Sequence, residues 1–170
     1  MSEIGLERAD PDRRPILERL LQFELYEIGL NPGPDGLIDW GESLDDFFAD
    51  PSAIPYLFTM DGNVVGFALV RLGRRLMGPD DRTPLIANLI EEFYVSRPWR
   101  RRGVGTLAIR HITDRHPGPW IATTWPDEGR VAFWRRVTLG REREGARVYE
   151  PGEHRGFPGQ YVFVVTSAIE

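Results

Sequence analysis

The sequence predicts a single α/β domain whose elements run in the order β-α-α-β-β-β-α-β-α-β-β. Three observations predict it. Apolar residues recur at helical spacing over residues 16–28 and again after Gly103, and β-rich runs of Val, Ile, Phe and Tyr separate these stretches. Two of those runs flank Asp61-Gly62-Asn63, a hairpin signal. The chain has 170 residues, enough for one core and too few for two, and no linker, repeat or low-complexity tract breaks it.

Each element follows from local chemistry. Residues 4–9 read as a first strand. Asp10 before Pro11 is an N-cap and first-turn pair. The helix it opens carries Ile16, Leu17, Leu20, Leu21, Phe23, Leu25 and Ile28 as an apolar stripe, and Gly29 with the Pro/Gly-rich residues 31–36 ends it. A short helix is predicted over residues 43–49, with Leu44, Phe47 and Phe48 inward. Strands over residues 55–60 and 64–70 form the hairpin. A turn at residues 78–81 leads into a long strand, residues 85–95, apolar on both faces and therefore central. A helix over residues 103–114, with Val104, Leu107, Ala108 and Ile112 inward, a strand over 120–123 and a helix over 127–137 follow. Strands over 146–149 and 161–166 close the order.

Composition excludes several classes. Residues 1–5 lack the charged and apolar regions of a signal peptide, and no apolar run approaches the ~18 residues of a membrane span, so a soluble, cytoplasmic protein is expected. Without a cysteine there are no disulfides, thiolate metal sites or thiol nucleophiles. His111, His116 and His154 have no metal-site spacing, so no metal is expected, and His154 reads as an exposed loop residue. A net charge of −5 argues against a broad nucleic-acid surface. All 21 basic residues are arginine.

The segment richest in chemistry is Val95-Ser96-Arg97-Pro98-Trp99-Arg100-Arg101-Arg102-Gly103-Val104-Gly105-Thr106. A strand ends, a basic turn follows, and glycines open a helix. Backbone N–H groups at a helix start lack intrahelical partners, and the helix dipole adds positive charge there. Glycines let a phosphate approach that backbone, and arginines add forked hydrogen bonds. A solvated basic turn is the bland alternative. Neither the three-glycine dinucleotide fingerprint nor the Gly-Lys-Ser/Thr phosphate loop fits.

Arg100-Arg101-Arg102-Gly103-Val104-Gly105 resembles the Gln/Arg-x-x-Gly-x-Gly/Ala signature of GNAT acetyltransferases, in the same strand–loop–helix setting. The resemblance implies a mixed, largely antiparallel sheet of about six or seven strands flanked by about four helices. It also implies acetyl-CoA as co-substrate, with its pyrophosphate at Arg100, Arg101, Arg102, Gly103, Val104, Gly105 and Thr106. The strand before the loop splays in that family, and a main-chain group at the place of Val95 contacts the pantetheine arm. Residues 127–137 resemble the family's second CoA-side helix, which places Asp127 and Trp134 at the cofactor. Asp127 stands where Asn is usual, and Trp134 lies near the position of a Tyr that often protonates the thiolate. The Gly-Phe that commonly follows is replaced by Val137-Thr138-Leu139-Gly140.

Acetyl transfer needs an uncharged amine, hence a proton acceptor. Glu91 and Glu92 sit together on the central strand and point to opposite faces, Glu91 with Phe93 and Val95, Glu92 with Ile90 and Tyr94. One of them is the expected base; the other reading is a structural pair with an arginine such as Arg71. Tyr94, Tyr149 and Tyr161 are the candidate acids, and Val95 N–H a candidate donor to the thioester oxygen. The acceptor side is expected between the first two helices, where Asp35, Asp39, Trp40, Glu42, Asp45, Asp46 and Asp50 either bind a cationic amine or form a solvated face. With no thiol nucleophile, direct transfer from acetyl-CoA to a primary amine in a ternary complex is expected, by a monomer or homodimer without nucleic-acid or membrane partners. Two rivals stand beside it: a CoA-holding module without catalysis, and a nucleotide or nucleic-acid binder using Trp99 and the arginines.

Overall fold

The computed structural model describes residues 4–41, 43–77, 84–139 and 146–165. The predicted turn at residues 78–81, Glu42, Gly140 and Thr166 lie outside them. The described elements keep the predicted order. β1 (Gly5–Arg8) leads through a 3-10 turn (Pro11–Arg13) to α1 (Arg14–Glu27), then α2 (Leu44–Ala49), β2 (Ala53–Met60), β3 (Asn63–Met77) and β4 (Pro84–Val95). A second 3-10 turn (Arg97–Trp99) precedes α3 (Val104–Arg115), β5 (Trp120–Thr124), α4 (Glu128–Leu139), β6 (Ala146–Tyr149) and β7 (Tyr161–Val165).

The strands form a seven-stranded sheet of order β1-β2-β3-β4-β5-β7-β6. β1–β2, β5–β7 and β6–β7 are antiparallel, and β4–β5 is parallel, so the sheet is mixed as expected. The parallel ladder sets Asn88, Leu89 and Ile90 against Trp120, Ile121 and Ala122. A parallel pair needs a crossover, and α3 supplies it.

The chain divides into two compact units, residues 1–70 with 92–108 and residues 71–91 with 109–170. In the first, Leu17, Leu20, Leu21 and Leu25 of α1 pack with Leu44 and Phe47 of α2 and with Leu57, Phe67 and Tyr94 of the strands. Phe48 packs against this core, as expected. Two details of the predicted stripe change. Phe23 is 60% exposed, and Glu24 occupies a buried position among the leucines. Asp10 caps the 3-10 turn rather than the helix, accepting the Arg13 N–H at 3.1 Å. Ser43 caps α2 through the Asp45 N–H.

In the second unit, Ala87, Leu89, Ile121, Val162 and Val164 form one core cluster. A small apolar cavity is lined by Ile90, Ile109, Trp120, Ala122, Trp134 and Phe163 among others. Along α3 the buried set includes Ile109 as well as Val104, Ala108 and Ile112, whereas Leu107, expected inward, is exposed. His154 corrects a sequence expectation. It is 1% exposed, with Tyr149 and Phe157 rings at 5.6 Å and 5.5 Å. The loop folds back over it through bonds such as Gly152 N–H to Pro158 O (2.9 Å) and Phe157 N–H to His154 O (3.1 Å).

Candidate active site

The end of β4 is fixed tightly against β3. The Ser96 N–H and hydroxyl both donate to Val65 O, at 2.9 Å and 3.0 Å. A Cβ on Gly66 would lie 2.3 Å from Tyr94 O and 2.8 Å from the Phe58 ring, so only glycine lets the two backbones meet. With the Ser96 N–H turned toward β3, the Val95 C=O and N–H both point away from it. The Val95 carbonyl accepts from Arg100 Nε at 2.6 Å, and its N–H is directed to the same side.

Past Val95 the chain makes its 3-10 turn, then reverses through two left-handed residues. Arg101 has φ 63° and Gly103 φ 82°. A left-handed backbone costs a non-glycine residue roughly 1–2 kcal/mol, yet an arginine occupies position 101. A Cβ on Gly103 would meet nothing within 4 Å, so open space lies before the helix start. Gly103 O accepts the first helical bond, from Leu107 N–H at 3.0 Å, and the N–H groups of Val104, Gly105 and Thr106 form the first turn of α3. Val104 anchors that turn in the core, while Thr106 is exposed.

The three consecutive arginines do three different things. Arg100 donates to Val95 O and, through Nη2, to Glu27 Oε2 at 2.6 Å. Arg102 lies over the Trp99 ring at 5.3 Å. Arg101 and Arg102 are exposed beside the helix start. Arg97 also reaches Glu27, at 3.3 Å.

Glu91 and Glu92 diverge, as strand alternation requires. Glu91 belongs to the second unit and pairs with Arg71 Nε at 2.7 Å, both side chains largely buried at 17% and 13% exposure. Glu92 belongs to the first unit, where Trp40 Nε1 donates to its Oε1 at 3.0 Å. Tyr94 is buried on the same face, its ring 6.1 Å from that of Phe67. Its hydroxyl donates to Glu27 Oε1 at 3.1 Å, and the Arg100 guanidinium sits 5.4 Å from its ring centre. Burial first, and then the Glu27 charge, push the phenol up to about 12.

The remaining predicted residues have firm structural positions. Asp127 caps α4, its carboxylate accepting the Arg130 N–H at 2.8 Å and its carbonyl the Val131 N–H at 2.9 Å. Trp134 is buried, with the Phe163 ring at 6.3 Å. Tyr149 packs on His154, and Tyr161 lies under Arg135 at 5.8 Å. Glu27 did not figure among the sequence candidates. One signal does point to it: the last turn of α1 carries acidic residues and no basic one, where the negative end of the helix dipole disfavours carboxylates. A glutamate placed there calls for nearby cations.

This strand, loop and helix can be set beside known proteins. The family profile described as acetyltransferase (GNAT) family matches residues 17–138. The chain belongs to the GNAT acetyltransferase family. Among proteins of curated function, none matches the sequence. Solved structures share the fold at low identity. An acetyltransferase from Thermus thermophilus has 16% identity and a TM-score of 0.65, covering 98% of this chain and 97% of that one. A GNAT-family acetyltransferase from Staphylococcus aureus has 12% identity and a TM-score of 0.64, covering 96% and 99%. A structure named histone acetyltransferase HPA2 and related acetyltransferase, from Corynebacterium glutamicum, has 15% identity and a TM-score of 0.63, covering 100% and 99%. At these identities the likeness establishes the GNAT fold. GNAT acetyltransferases normally use acetyl-CoA as co-substrate.

Proposed function

We propose that this GNAT protein is an N-acetyltransferase, moving an acetyl group from acetyl-CoA directly to a primary amine in a ternary complex. One observation carries the reading. The first turn of α3 opens onto free space through Gly103, straight after β4, with the exposed Arg101 and Arg102 beside it. Unpaired N–H groups, the helix dipole and two arginines suit the pyrophosphate of acetyl-CoA. The Val95 N–H, turned away from β3, is suited to polarise the thioester oxygen.

Glu92 is the assigned base. Trp40 orients its carboxylate by donating to Oε1, on the strand face shared with Tyr94. The amine, deprotonated through Glu92, attacks the thioester carbonyl, and the tetrahedral intermediate collapses with loss of the CoA thiolate. Glu91 is committed to Arg71 and serves the fold. A phenol held near 12 gives its proton poorly to a thiolate whose own acid lies near ~8.5, so Tyr94 is assigned to bracing and water to reprotonation. Trp134, an indole packed on Phe163, favours a second reading, in which the protein holds CoA without transfer.

Steady-state assays of CoA thiol release over a panel of primary amines separate the two. Glu92→Gln should lower kcat by about a hundredfold with acetyl-CoA affinity intact. Glu91→Gln should instead lower stability, by about 2 kcal/mol, because it weakens a largely buried ion pair. Undiminished turnover in Glu92→Gln would remove the assigned base. No thiol release with any amine, alongside tight acetyl-CoA binding, would favour the holding module.

A further inference from the structure

We infer that Glu27 is a positioning residue for the phosphate loop: its carboxylate holds Arg100 as a tether between α1, the end of β4 and the loop, leaving Arg101 and Arg102 as the cations that face the phosphates. The inference rests on the acetyl-CoA reading of that loop. It reassigns the first arginine of the loop signature from phosphate ligand to structural clip.

Glu27 is the last residue of α1 and the best shielded charged member of its cluster, with 15% of its side chain exposed against 39% for Arg100 and 75% for Arg97. Its two oxygens are shared among three donors: Tyr94 hydroxyl (3.1 Å) and Arg97 Nε (3.3 Å) on Oε1, Arg100 Nη2 (2.6 Å) on Oε2. Arg100 spends the Nε–Nη2 edge of its fork on Val95 O and Glu27, the two shortest of these contacts. Its guanidinium carbon lies over the Tyr94 ring, 5.4 Å from the centre. That edge is one of the two an arginine can offer to a phosphate in a bidentate bond, and the Nη2 shared with the other edge is held by Glu27 as well. Arg101 follows immediately in its left-handed turn, φ 63°, so the tether fixes the chain just before the reversal that exposes the next two arginines. A charge-assisted bond to a shielded carboxylate is strong enough to hold that geometry before ligand arrives.

Two measurements on the full chain test this. The first is acetyl-CoA affinity by calorimetry, across a range of salt, for Glu27→Gln, Arg100→Met, the double variant and Arg101→Gln. The tether predicts about a tenfold loss in each single variant at Glu27 or Arg100 and no further loss in the double variant. It also predicts a salt dependence unchanged by Arg100→Met and shallower in Arg101→Gln. If the losses multiply, and Arg100→Met flattens the salt dependence as Arg101→Gln does, Arg100 is a direct phosphate ligand and the inference fails.

The second readout needs no ligand. The phenol of Tyr94, identified by its loss in Tyr94→Phe, should titrate near about 12 in the native chain and lower in Glu27→Gln. A phenol unmoved by Glu27→Gln would show that the carboxylate does not hold this cluster in solution, which also overturns the inference. If the native chain binds no acetyl-CoA but the phenol does shift, the acetyl-CoA reading fails while the tether itself stands.

Discussion

Single side chains decide what each part of this site can do. Glu91 and Glu92 are adjacent in sequence, yet strand alternation gives one to Arg71 and the other to Trp40. That divergence was legible from period-two geometry alone, whereas Arg71 stood only as an example of an arginine that could pair with one of the two. The partner of Glu92 was not legible, because Trp40 lies in a loop whose path no local pattern fixes. Tyr94 carries a pH signature. Its folded phenol sits near about 12, above the ordinary value of ~10. The folded state therefore holds a proton that the unfolded chain has already released between those values. The stability this provides is fully present below ~10 and is lost as pH rises through 12. Denaturant unfolding across that alkaline range should show a decline in stability that Tyr94→Phe makes shallower; an identical decline in both would contradict the Tyr94–Glu27 contact.

At the level of elements, hydrophobic periodicity located the helices and strands, and local capping and packing account for the differences. Asp10 spends its carboxylate on the 3-10 turn, which delays α1 to Arg14. β3 runs on to Met77 through Arg71, Arg74 and Arg75, because a paired strand tolerates charges that a propensity reading takes as its end. The β3–β4 junction depends on one atom's absence. Gly66→Ala should cost about 2–3 kcal/mol, since the new methyl meets the fixed carbonyl of Tyr94 rather than a movable side chain. A melting temperature equal to that of the native chain would show that the strands are not so close. The loop around His154 was misread because Gly and Pro suggest exposure, while the flanking Tyr149 and Phe157 that bury it act through a fold-back no periodic pattern encodes. His154→Ala should cost about 2 kcal/mol by opening a cavity there, a loss readable by denaturant titration. A neutral substitution would mean the ring is in water.

For the whole molecule, the order of elements and the strand–loop–helix signature sufficed to place the chain in its family, and the family profile over residues 17–138 agrees. What stayed dark was everything set by long-range packing: Glu27 reaching from α1 to the loop, Trp40 reaching β4, and the acceptor itself. The net charge of −5 is no barrier to a polyanionic ligand, because the loop gathers its own cations locally. Acetyl-CoA recognition is the central claim, and Thr106 offers a clean way to test it. Its side chain is exposed in the first turn of α3, where an aspartate is favoured by the helix dipole but repels a bound phosphate. The decisive measurement is calorimetric titration of acetyl-CoA into the native chain and Thr106→Asp, with melting temperatures taken alongside. Micromolar binding by the native chain, weakened at least about tenfold in a variant that melts no lower, is the predicted result. Equal binding by both, or none by the native chain, would contradict a pyrophosphate site at the start of α3.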